Sequence, residues 1–154
     1  MSLTRRDLVV ALATASVVLA LGSHARTAPS VLTSVVFEWS AMKAEPIEAG
    51  EVRHVFRNPT ATLDELECHI TTLRAGAKSH PPHVHANEEV LIVREGSVEA
   101  FYKGAWHQAG PGSVIFLTGT DPHGIRNAGT TAATYHVLAW RSPGTKPVGP
   151  AQAD

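Results

Sequence analysis

Between residues 34 and 141 no stretch of the chain sustains a helical period; apolar residues come in short runs that turn residues interrupt. The runs cover residues 34–39, 52–57, 66–73, 90–93, 98–102, 113–117, 124–126 and 134–140. Asn58-Pro59, Ala75-Gly76, Glu95-Gly96, Lys103-Gly104, Gly110-Pro111-Gly112, Asp121-Pro122 and Ala128-Gly129 punctuate them. β-Branched and aromatic residues in runs this short predict an all-β fold, a single antiparallel barrel or sandwich with little helix. No internal repeat or second composition regime appears, so one domain over residues 34–141 accounts for the pattern. Phe101, Tyr102, Trp106, Phe116 and Trp140 are expected to pack its interior.

The ends read differently. Thr4-Arg5-Arg6-Asp7-Leu8 leads into an apolar run, and Ser23-His24-Ala25 follows with small residues suited to cleavage. This order predicts a signal peptide over residues 1–25, and the paired arginines resemble a twin-arginine export signal. An ordinary secretory signal and a retained anchor are the other readings. The apolar run is shorter than the roughly 20 residues that span a bilayer, so no stable membrane insertion is expected after cleavage. The expected compartment is the periplasm or another exported location. Residues 26–33 and the Pro- and Gly-rich residues 142–154 are expected to be flexible. One cysteine, Cys68, excludes an intramolecular disulfide and reads as a small buried residue. Thirteen basic residues against 14 acidic ones leave a net charge of −1, which offers no basic stripe to nucleic acid.

Chemistry concentrates in two segments. The first is His80-Pro81-Pro82-His83-Val84-His85-Ala86-Asn87-Glu88-Glu89; the second is Asp121-Pro122-His123-Gly124-Ile125-Arg126-Asn127. His83 and His85, two apart in an extended chain, project to one face. Pro81-Pro82 enforces the extended approach. On a straight strand Glu89 would lie roughly 13 Å from His85, so sharing one ion requires a bend at Ala86-Asn87-Glu88. Alternation then turns Glu89 inward and Glu88 outward. His123 arrives from a later strand, behind a turn that Pro122 stiffens. His80 is expected at the rim. Only one of Tyr135 and His136 can face inward, and Arg126 should face away from His123. His54, His69 and His107 receive no role.

These residues carry a resemblance. His83-x-His85-x-x-x-Glu89, with Gly96 seven residues later, resembles the first cupin motif. Gly112, Thr118, Thr120, His123 and Asn127 resemble the second, with Thr118 and Thr120 where the family usually has Pro and Gly. The resemblance implies a small jelly-roll β-barrel in which His83, His85, Glu89 and His123 hold one divalent metal ion, and it suggests a homodimer through barrel edges, with the apolar run at 35–39 available to pair between chains. Three imidazoles and a carboxylate suit Fe or Mn, whose six-coordination leaves positions open, and also Zn, Ni, Co or Cu. The expected partner is a small organic ligand or substrate. A dioxygenase-type enzyme is the leading expectation. A non-catalytic binding or sensing protein is the alternative, and a metal-free structural barrel is another. An isomerase or lyase, needing a base such as Glu88, Tyr135 or His136, is also open.

Overall fold

A computed structural model describes residues 30–148; the expected signal peptide over 1–25 lies outside them. Nine strands follow in chain order: β1 Glu45–Ile47, β2 Gly50–Asn58, β3 Glu65–Leu73, β4 Glu88–Glu95, β5 Val98–Tyr102, β6 Ala105–Ala109, β7 Val114–Leu117, β8 Gly124–Arg126 and β9 Ala133–Arg141. They form a six-stranded sheet, β1-β2-β3-β9-β4-β7, and a three-stranded sheet, β6-β5-β8. Every pairing is antiparallel. This is the all-β antiparallel fold that the short runs implied, in keeping with the jelly-roll that the resemblance implied. Among the described residues, no helix is long and apolar enough to cross a membrane.

The core is aliphatic. Leu73, Leu91, Val93, Val98, Leu117, Ile125 and Val137 are buried together with Tyr135 between the two sheets. Of the aromatic residues expected there, Tyr102 packs against this core while half-buried; Phe116 is 54% exposed on the outer face, and Phe101, Trp106 and Trp140 are only half-buried. Strand register explains this. On the large sheet, Cys68, Leu138, Val90 and Phe116 align across β3, β9, β4 and β7 on the face opposite the core. Burial raises the Cys68 thiol above its ordinary value, which keeps it protonated.

Two strands went unforeseen, and one expected strand is absent. Pro46 occupies the middle of β1, an exposed edge strand where a missing N–H costs nothing. Strand β6 is polar and mostly exposed, so it lacks an alternating signature. Its signal was the turn before it: Lys103 and Gly104 both have positive φ, 50° and 77°, which forces a two-residue hairpin and therefore a partner for β5. Residues 34–39 do not form a strand; a 3₁₀ turn spans Trp39–Ala41 instead. The apolar side chains of this segment lie over the large sheet. Phe37 packs on Phe56 at 5.3 Å, and Trp39 stacks with the guanidinium groups of Arg53 and Arg94. Of the leading segment, Leu32 donates its N–H to the Pro59 carbonyl, and Ser30 accepts from Asn58.

Candidate metal centre

The two histidine segments meet through their backbones. His83 and His123 exchange both N–H···O bonds at 3.0 Å, forming an isolated antiparallel bridge. Two residues further on, the His85 N–H donates to the Gly119 carbonyl at 2.9 Å. Gly119 is required by this approach: a Cβ there would lie 2.1 Å from the His85 oxygen and 2.2 Å from the Asn87 oxygen. The chain bends at Ala86, and Glu89 enters on β4, as strand geometry demanded.

His83, His85 and His123 bring one nitrogen each within 4.8 Å of one another. Glu89 adjoins two of them, with Oε1 3.1 Å from His85 Nε2 and Oε2 4.0 Å from His123 Nε2. Two of the three rings are oriented from behind. His85 Nδ1–H donates to the Asn87 carbonyl at 2.9 Å, and His123 Nδ1–H to the Asp121 carbonyl at 2.7 Å. Both Nε2 atoms therefore carry lone pairs, yet they face each other at 3.0 Å. Two lone pairs beside an ionised carboxylate repel; a proton on His85 Nε2, donated to Glu89, relieves the conflict without a metal, and a metal cation between the three groups relieves it in the proton's place. The buried Nδ1 of His83 also finds no hydrogen-bond partner among the described residues. This donor set fits a divalent metal.

The charges agree. Burial pushes the Glu89 carboxyl up, but the hydrogen bond from His85 and the charges of His85 and His123 outweigh it and leave Glu89 below its ordinary value. His85 is raised, first by its hydrogen bond with Glu89. His83 is lowered by burial and by its histidine neighbours, so it presents a neutral ring.

A cavity of about 310 Å³ opens from the centre into the barrel, with Glu89 and His123 in its wall. Its other walls are mainly apolar, from Val52, Leu91, Leu117, Ile125 and Val137. His80, half over the mouth, packs edge-on against His83 at 4.2 Å. Tyr135 faces this cavity, and burial pushes its phenol up to about 12. Its neighbour His136 faces outward, as does the exposed Glu88. Arg126 points away to pair with Glu99 and stack on Trp106. The cavity also receives His54 and His69, which sequence reasoning left without a role. The available signal was parity: His69 shares its strand face with Thr71 and Leu73, both buried.

Residues 69–139 match the family described as "Cupin domain". The barrel is similar to a cupin domain. Solved structures resemble it in fold. A cupin domain of an XRE family transcriptional regulator from Enterobacter cloacae is 25% identical, with a TM-score of 0.51 over 60% of this chain and 95% of that one. A polyketide cyclase from Streptomyces resistomycificus is 20% identical (TM-score 0.57; 76% and 87% covered). A protein from Thermotoga maritima described as a predicted oxalate decarboxylase is 17% identical (TM-score 0.58; 70% and 99% covered). No curated protein sequence matches the chain significantly. Both cupin motifs supply residues to the centre, and Gly119, between Thr118 and Thr120, answers the tight approach of the second motif.

Proposed function

We propose that this protein is an exported, metal-dependent cupin that acts on a small organic molecule, with dioxygenase-type oxidation as the favoured reaction class. The observation that carries the metal is the pair of facing imidazole lone pairs beside Glu89. His83, His85, Glu89 and His123 would hold the ion. Fe or Mn fits the proposed oxidation best, and Zn, Ni, Co or Cu suits the same donors. When bound, the ion supplies Lewis acidity and, for Fe or Mn, redox capacity. The cavity's size and apolar walls favour a small ligand over a polymer.

Elemental analysis of the folded, exported protein tests the metal. One divalent ion per chain is expected, lost in both His83→Ala and His123→Ala; retention of full metal in His123→Ala refutes the shared site. Oxygen uptake by Fe(II)- or Mn(II)-loaded protein with a panel of small enolates, carboxylates and catecholates tests the chemistry. A thermal shift with such ligands but no turnover would instead establish the non-catalytic binding reading.

A further inference from the structure

The expected bases Glu88 and His136 face outward, and Tyr135 holds its proton firmly. Another pair inside the barrel has the right form. On β3, His69 Nδ1 lies 3.0 Å from Glu67 Oε1, and Arg57 holds the other carboxylate oxygen at 3.1 Å. A carboxylate only accepts, so His69 Nδ1 carries the ring proton and Nε2 is left with a lone pair. Nε2 makes no hydrogen bond among the described residues, and His69 lines the cavity that Glu89 and His123 also line. It is not ion-paired with Glu89. A purely structural pair would satisfy both ring nitrogens; this one leaves Nε2 unpaired on a residue that lines the ligand space.

We propose that His69 is a catalytic proton-transfer residue of this cavity and that Glu67 is its positioning residue. The inference rests on the cavity's being the ligand site. In the step, the Nε2–H bond forms as an acidic O–H or C–H bond of the ligand breaks. The electron pair stays on the ligand as an anion, and the new imidazolium is stabilised by the Glu67 carboxylate. Returning that proton to the same or another ligand atom restores the neutral ring, with nothing oxidised or reduced. The His69 contact is also the first cause of Glu67's lowered carboxyl value, so Glu67 is ionised for this role. The titratable and charged groups facing His69 are Glu67 on its own strand, Arg57 and His54 on β2, Glu89 on β4 and Tyr135 on β9.

The test uses the mature chain labelled with ¹⁵N-histidine, with His69→Asn to assign the resonance. The neutral His69 ring is expected in the Nδ1–H form. Glu67→Gln is expected to switch it to Nε2–H, because the amide turns a donor toward Nδ1. Diethyl pyrocarbonate, mapped by mass spectrometry, is expected to modify His69 of the natural chain, and at least about tenfold more slowly in Glu67→Gln. An Nε2–H form, or a His69 that does not react, in the natural chain overturns the proposal. Glu67→Gln is expected to keep its metal. Loss of metal in His83→Ala beside a negative His69 result would sink this inference and leave the metal reading standing; a positive His69 result without metal would do the reverse.

Discussion

Replacing Gly119 by Ala tests whether the centre is as tightly framed as its distances say. The new Cβ would meet two backbone oxygens, at 2.1 and 2.2 Å. Ordinary contact begins near 3.4 Å, so the segment carrying His85 must retreat by about 1.3 Å, and neither oxygen belongs to a side chain that can swing aside. The His85 N–H···O bond to Gly119, 2.9 Å long, stretches beyond use in that movement. Loss of one buried hydrogen bond costs about 1 kcal/mol, and local repacking brings the expected total to about 2–3 kcal/mol. For a domain of this size that lowers Tm by roughly 10 °C or more. Because the retreat displaces His85 and the Asn87 carbonyl behind it, metal affinity should fall by about 10–100-fold. Urea unfolding of metal-free protein measures the first effect, and chelator competition the second. A Gly119→Ala protein within about 0.5 kcal/mol of the natural chain, with unchanged metal affinity, would refute the close approach.

Asn127 is 1% exposed and ties Leu73, Arg74 and Thr131 carbonyls through its amide, while its oxygen accepts from Gly129. Asn127→Ala should cost about 2–4 kcal/mol in urea unfolding, because buried carbonyls lose their donor; a loss under about 1 kcal/mol would contradict that network. The Glu67 carboxyl is lowered in the folded state, so its contribution is present above the unfolded carboxylate value and is lost as pH falls through the folded one. The stability difference between the natural chain and Glu67→Gln should therefore shrink as pH drops from neutral into the acid range; a constant difference would mean Glu67 is not held ionised. We propose that the expected homodimer covers the β7 edge of the large sheet's outer face, where Val114 is 67% and Phe116 54% exposed. Light scattering should give a dimer that Phe116→Asp reduces to a monomer, and a monomeric natural chain would reject it.

Strands with alternating or continuous apolar residues were legible, and β5 and β8 run over the residues expected. The edge strands β1 and β6 were not, because an edge needs little hydrophobic pattern. Residues 34–39 misled for the opposite reason: Phe37 and Trp39 are apolar because they cover a sheet, and covering requires no strand. The aromatic residues misled similarly, since the large sheet is apolar on both faces and composition alone does not say which face is inside. At the centre, spacing sufficed for His83 and His85, and alternation chose Glu89 over Glu88. His69 and Glu67 stayed invisible because an i, i+2 pair acquires meaning only when its face is known.

The bridge between His83 and His123 joins two ligands by their backbones as well as by their rings. Residues 84–122 are thus a loop that the bridge closes, and loop-closure entropy must be overcome before the third imidazole arrives. No local peptide of this chain contains the site. A metal held by this centre would consequently be selected late, from the ions present where the barrel finishes folding. A chain exported unfolded would choose its metal outside the cell's buffered interior, whereas a chain exported folded would carry that choice with it.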